Sequence, residues 1–388
     1  MDFALSEEER SIRAAIRDLA EREFAPRAAE YDRTGEFPWD NVRLLAEGGY
    51  LGMTVPPRYG GAGASFLAFI LCMEEVARAC AVTSVIFEVH NSLHIEPILR
   101  FGSEEQRERF LPPLVRGERL GAFCLTEPSS GSDAAAMETR AVEVAGGFRL
   151  RGQKSFITNG GQAHEYLVFA RTGDDPGRRA VTAFLVPRDS PGLSFGPPEA
   201  KMGLTASHTT QVYLDDVFVP ADRLLGERDH GMRVALATLD AGRVGIAAQA
   251  VGIAQAALDT AARYALERRQ FGRPIAEHEG VQWILAEMAA DLEAARWLVY
   301  RAAWLQGQGI RATEEIAKAK LFASTMANVH VPRALRVLGG YGFLKDHPME
   351  RYVRDVKVTE IYEGTSEVMK MLIARGLMER TRQGTGAG

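Results

Sequence analysis

Cysteine is scarce: Cys72, Cys80 and Cys124 are the only three in 388 residues. No two stand as CxxC, so a disulfide framework is excluded and a reducing compartment is expected. A basic excess is missing too. The 51 acidic and 46 basic residues are interleaved and leave a formal charge of -5. This argues against a nucleic-acid partner, which calls for a concentrated positive face. No apolar run approaches the roughly 18 to 20 residues of a membrane span, and MDFALSEEER lacks the basic start and apolar middle of a signal peptide. A soluble cytoplasmic protein without membrane insertion is the expectation. Nucleotide-binding loops are also lacking, because YGGAG (59–63) and GGYGF (339–343) supply neither GxGxxG after a strand nor GxxxxGK[ST]. Any bound cofactor must therefore be held in another way. His90 and His94 stand four apart on one helix, but no third ligand completes a zinc site and no metal is expected.

What is present has globular proportions, 46% hydrophobic and 25% charged, and the length suits two or three domains at about 150 residues each. Residues 1–120 read as helical. Ser6 with Glu9 forms a capping box, and Ile12, Ile16 and Leu19 recur at helical spacing until Pro26. Ser103 with Gln106 opens a second helix that should end before Pro112 and Pro113. Between them, residues 82–102 are apolar on nearly every face, as in a helix buried mid-domain. Residues 121–230 change period, with a hairpin about Gly146-Gly147 and the runs EYLVFAR, AVTAFLVP and TQVYLDDVFVP at intervals, which predict an antiparallel β domain. From 231 to 388 long helices return, at about 232–268, 278–307, 313–338 and 350–376, followed by a disordered tail, TRQGTGAG. The sum is an α+β chain, mostly α, in three packed units with clefts between them.

Three segments carry chemistry. TEPSSGSD (126–133) follows the apolar strand GAFCL and suits a tight loop aimed at a polar ligand edge or a phosphate. In GQKSFITNGG (152–161), Phe156 and Thr158 project on one face of a strand and could flank a planar heterocycle. In IYEGTSE (361–367), Glu363 follows two apolar residues and precedes Gly364, which allows close approach to the backbone. Desolvation there raises a carboxyl pKa toward the range of a general base.

Together with LDDVFVP, LDAGRVGIAAQAVGIAQAALD, ERRQFGRPI and LGGYGF, these motifs run in register over nearly the whole chain and resemble the acyl-CoA dehydrogenase flavoenzymes, nearest the short-chain, butyryl-CoA type. The resemblance implies an acyl-CoA dehydrogenase fold: helical amino-terminal domain, antiparallel β-barrel or sandwich, and carboxy-terminal four-helix bundle, usually assembled as a homotetramer. It implies bound FAD, an acyl-CoA substrate and an electron-transfer flavoprotein as acceptor.

By match of motif, Leu125 and Thr126 would meet the flavin pyrimidine edge, and Ser132 the region shared by the FAD phosphates and CoA. Phe156 would lie against the isoalloxazine, where many relatives carry Trp, and Thr158 near N5. Arg268 and Phe271 would reach a neighbouring subunit's FAD, with Arg336 at the adenosine end where relatives commonly have Gln. Gly339 and Gly340 would admit the nucleotide, with Thr365 and Glu367 nearby. Glu363 matches the catalytic base that takes the α proton while the β carbon passes hydride to flavin N5, giving a trans-2-enoyl-CoA. One branch of the family places its base directly before the arginine of LDxxR, where this chain has Gly242. Asp240, Arg243 and Gly364 match residues near the pantetheine and the base-bearing segment. Val85, Val89 and Leu93, four apart, would floor the acyl pocket and favour a C4 or short branched acyl group. Thr205 and His208 replace the Arg and Ser common in KxGxRxSxT. The rival readings are an oxidase or a carrier-protein-linked dehydrogenase on the same fold, and a non-catalytic flavoprotein.

Overall fold

Ser6 opens the first helix by a reciprocal pair of hydrogen bonds with Glu9, 2.9 and 3.1 Å long, so that the orphan donors of the helix start are satisfied. The computed structural model describes residues 4–173 and 180–385. Helix α1 (Glu7–Leu19) does not end at Pro26. It passes through a wide turn, Ala20–Phe24, into α2 (Ala25–Thr34). Pro26 sits in the first turn of α2, where its missing N–H costs least. Next come α3 (Trp39–Glu47), α4 (Phe66–Ala79), α5 (Ala81–Glu88), a second wide turn (Val89–Ile95), α6 (Glu96–Phe101) and α7 (Glu104–Val115). The expected stop of α7 before Pro112 is likewise corrected: both prolines lie inside the helix. Their carbonyls still accept from Arg116 and Arg119, each at 3.1 Å, so the helix forgoes only their own donors.

The middle of the chain forms one eight-stranded sheet from β1 (Gly121–Cys124), β2 (Arg140–Val144), β3 (Gly147–Thr158), β4 (Glu165–Arg171), β5 (Val181–Pro187), β6 (Leu193–Phe195), β7 (Thr209–Pro220) and β8 (Leu224–Leu225). The order β6-β7-β3-β2-β4-β5-β8 is antiparallel except where β2 meets β4; β1 pairs with β4, also in parallel. The hairpin at Gly146 falls where the sequence places it, with Gly146 at φ 80°, a left-handed turn position. The imidazoles of His90 and His94 serve the edge strand. Nε2 of His90 donates to the Leu114 carbonyl and Nδ1 accepts from Gly121 N–H, while Nδ1 of His94 donates to the Ala122 carbonyl.

The carboxy-terminal half consists of α8 (Gly231–Glu267), α9 (Glu279–Gly307), α10 (Thr313–Val337), α11 (Met349–Val356) and α12 (Ser366–Thr385). Among the described residues α8 alone has a stretch long and apolar enough to cross a membrane, and 78% of that stretch is buried inside the protein. One apolar core runs from Phe24, Leu71 and Phe87 of the first half through Val244 and Val251 of α8 to Ala303 and Val331 of the last helices. The expected helix 350–376 is interrupted: α11 ends at Val356, a 3-10 turn spans Lys357–Glu360, and α12 starts only at Ser366. Glu363 at φ 53° and Gly364 at φ 102° cannot continue a right-handed helix. The expected disorder of 381–388 is also revised, because α12 continues to Thr385, with Thr381 Oγ1 donating to the Leu377 carbonyl. Residues 386–388 lie outside the described residues.

Candidate active site

Glu363 stands in the break between α11 and α12, in a left-handed backbone conformation. A non-glycine residue costs on the order of 1–3 kcal/mol there, a cost the surroundings must offset. Two buried cations supply the restraint. Arg243 of α8 donates from Nε to the Glu363 carbonyl at 3.1 Å, and Lys320 of α10 donates from Nζ to the Gly364 carbonyl at 2.7 Å. Arg243 is itself fixed through Nη1 to Asp240 Oδ1 at 2.8 Å, and Asp240 Oδ2 accepts from Thr313 at 2.8 Å.

This frame aims the Glu363 side chain at α8. A Cβ built on Gly242 would lie 2.1 Å from Glu363 Oε2 and 2.8 Å from Leu93 Cδ2, so the carboxyl group occupies the notch that a glycine leaves. Glu363 Oε2 is buried and has no hydrogen-bond partner among the described residues. Burial pushes the carboxyl up to about 7, against the lowering effects of Glu88, Lys320 and Arg243. Burial also brings Lys320 down to about 8, with the nearby Glu363 charge acting the other way. An unpartnered carboxyl titrating near neutrality can accept a proton from a weak carbon acid laid against it.

The segments expected to hold a cofactor are organised around β3. Lys154, wholly buried, donates to Glu127 Oε1 at 2.7 Å and to the Leu125 carbonyl at 3.1 Å. Glu127 in turn accepts from the Glu138 and Thr139 backbone N–H groups. The backbone N–H of Ser155 donates to the Thr126 carbonyl at 2.8 Å, which ties the 125–133 loop beside Phe156. A β-bulge between Lys154 and Ile157 puts Phe156 at φ 58°, with its ring 66% exposed. Thr158 ends the strand half-buried, with Ile157 buried before it. An exposed flat ring on a rigid strand next to a braced polar loop fits one face and one edge of an isoalloxazine.

A second group forms at the far end of α8. The Arg268 guanidinium lies 5.7 Å from the Tyr341 ring centroid, in the turn that carries Gly339 and Gly340. A Cβ at either glycine would meet nothing within 4 Å, so the turn borders open space. Phe271 caps the two-stranded hairpin Arg269–Pro274 and is 95% exposed. Arg336, Ser132 and Glu367 are exposed, and a hydrogen bond from Thr365 helps to lower the Glu367 carboxyl. Thr365 accepts from Val368 N–H through Oγ1 at 3.4 Å at the start of α12. Val85, Val89 and Leu93 are all buried. Thr205 and His208, unusual for their motif, bond to the first half of the chain: Thr205 Oγ1 donates to Asp32 at 3.0 Å, and His208 Nε2 donates to the Gly35 carbonyl at 3.0 Å.

Four residues of this arrangement escaped sequence reasoning: Glu88, Lys320, Lys154 and Glu127. The available signal for Glu88 was a charge inside an otherwise apolar run, whereas Glu127 and Lys154 stand within TEPSSGSD and GQKSFITNGG themselves.

Models of the acyl-CoA dehydrogenase N-terminal, middle and C-terminal domains match residues 6–118, 122–217 and 229–378. The chain belongs to the acyl-CoA dehydrogenase family, oxidoreductases acting on CH–CH bonds. It is 43% identical over 374 residues to the short-chain specific acyl-CoA dehydrogenase of Clostridium acetobutylicum, covering 96% of this chain and 99% of that one. The structure of butyryl-CoA dehydrogenase from Megasphaera elsdenii superposes with a TM-score of 0.96 at 40% identity, covering 97% and 100% of the two chains. A chain in a structure described as the electron transferring flavoprotein of Acidaminococcus fermentans also gives 0.96, at 42% identity and 97% and 99% coverage.

Proposed function

We propose that this protein removes two hydrogens from a short-chain acyl-CoA, butyryl-CoA or a short branched relative, to give the trans-2-enoyl-CoA. The observation that carries the reading is the Glu363 carboxyl group: sealed from solvent at Oε2, in no ion pair among the described residues, and raised to about 7. FAD, when bound, supplies the hydride acceptor for the β carbon. Phe156, Thr158, Leu125 and Thr126 would hold its ring system, Gly339 and Gly340 its nucleotide portion, and Arg268, Phe271 and Arg336 the adenosine end across a subunit contact.

The chain's own contribution to the reaction is positional and acid–base. Arg243 and Lys320 hold the backbone on either side of the base, and Glu363 takes the α proton. Holding base and substrate in reacting geometry removes much of the entropic barrier, and a positioned base adds about 10²- to 10⁴-fold. Val85, Val89 and Leu93 would close the acyl site, and the short-chain names of the Clostridium and Megasphaera relatives support a C4 preference. An electron-transfer flavoprotein is the proposed acceptor. A homotetramer is proposed as the assembly, supported by the exposure of Phe271 (95%), Phe343 (81%) and Trp283 (64%).

Anaerobic titration of the purified yellow protein with a panel of acyl-CoAs tests the reading. Butyryl-CoA should bleach the flavin at a higher rate than octanoyl-CoA. A colourless protein, or a flavin that no acyl-CoA reduces, would overturn it, and faster bleaching by octanoyl-CoA would overturn the chain-length preference.

A further inference from the structure

Glu88, the last residue of α5, is 0% exposed, and neither of its carboxyl oxygens has a hydrogen-bond partner among the described residues. It occupies a second glycine notch on α8. A Cβ on Gly245 would lie 2.7 Å from Glu88 Cγ and 3.3 Å from Oε1, just as one on Gly242 would meet Glu363 Oε2 at 2.1 Å. Positions three apart on a helix have Cβ sites only about 5–6 Å from each other. The two carboxyl groups resting in these notches are therefore neighbours.

We infer that Glu88 is the positioning partner of Glu363: a neutral carboxylic acid whose O–H donates to the Glu363 carboxylate and holds it over Gly242. This rests on the reading of Glu363 as the base. Two adjacent buried carboxyl groups cannot both be charged, and a buried carboxylate with no cation beside it takes up a proton instead. The surroundings decide which one does. Facing Glu363 are Arg243 from α8 and Lys320 from α10, both cationic. Neither makes an ion pair or hydrogen bond with Glu88. Besides Glu363, Glu88 faces Ser92 on its own helical run and the Tyr362 hydroxyl, which is committed to Gln249. The charge belongs on Glu363 and the proton on Glu88. In agreement, burial first and the Glu363 charge second hold Glu88 well above the ordinary carboxylate range. Glu88 keeps its proton throughout turnover; the substrate's α proton goes to Glu363.

The test is the pH dependence of kcat/KM with butyryl-CoA for the wild type, Glu88→Ala and Glu88→Gln, with flavin content and thermal melting as controls for folding. Loss of the donor in Glu88→Ala should move the acid limb up by about one to two pH units. In Glu88→Gln, whose amide still donates, the limb should stay in place. Infrared spectra of the holoenzyme near pH 7, without substrate, should contain the carbonyl stretch of a buried protonated carboxylic acid that Glu88→Gln lacks. A downward shift of the limb in both variants would mean that Glu88 is charged, and would overturn the inference. So would an unmoved limb in Glu88→Ala, a change confined to acyl-chain preference, or absence of the infrared band. Failure of the base assignment is separable: Glu363→Gln would then turn over within tenfold of wild type, whatever the Glu88 variants do.

Discussion

The Arg243 side chain reaches from α8 to the Glu363 carbonyl at 3.1 Å, so the base is held by its backbone and its carboxylate forms no ion pair among the described residues. A salt bridge to the carboxylate itself would depress its pKa and blunt its basicity. Anchoring the main chain restrains position without that loss.

Glu363→Gln should fold, keep its flavin and lose turnover by about 10²- to 10⁴-fold. In the wild type only the ionised carboxyl accepts a proton, so kcat/KM should rise with pH through about 7, the value to which burial lifts Glu363. Stopped-flow flavin reduction across pH 5–9 checks both statements.

Gly242→Ala should separate stability from activity. The added methyl would meet Glu363 Oε2 at 2.1 Å and Leu93 Cδ2 at 2.8 Å, both ends of side chains that can turn aside at modest cost to the fold. We expect little change in Tm and a fall in kcat of roughly 10²-fold as the base leaves its reacting position. Differential scanning fluorimetry beside steady-state kinetics reads the split.

Lys154→Met should destabilise the protein by about 3–5 kcal/mol, because it strands the buried Glu127 carboxylate without its cation. Flavin retention should fall with it, since the same lysine braces the Leu125 carbonyl at 3.1 Å. Adding Glu127→Gln removes the stranded charge and should recover part of the loss. Denaturant titration of both single variants and the double variant provides the cycle.

Acid should destabilise the fold through two imidazoles. Burial lowers His94 to about 3 and His90 to about 4, below the ordinary value of 6.5. The unfolded chain therefore takes up these protons first as pH falls. The stability tied to the neutral rings is complete above pH 6.5 and drains away as pH drops toward about 4 and 3. His94→Phe loses the bond to the Ala122 carbonyl, so its Tm should be lower at pH 7 but decline less steeply between pH 6.5 and 4 than that of wild type.

Much of the architecture was legible because it is written in local signals. Ser6 and Ser103 cap helices as their spacing predicts, and Gly146 turns the hairpin. What escaped depends on partners distant in sequence. Pro112 and Pro113 read as a stop, yet packing of Leu111 and Leu114 in the core carries α7 past them. Residues 357–365 continue a helical pattern on paper, but Arg243 and Lys320 hold the chain in another conformation. Glu363 was legible from its own segment. Glu88 was not, because its role exists only where α5 crosses α8 beside the broken helix.

Leu204 N–H donates to Asp355 Oδ1, Thr205 to Asp32 and His208 to the Gly35 carbonyl, so a single short loop of the sheet region ties the end of α2 to α11. Loosening that loop would therefore be felt on α11 and on α2 at once.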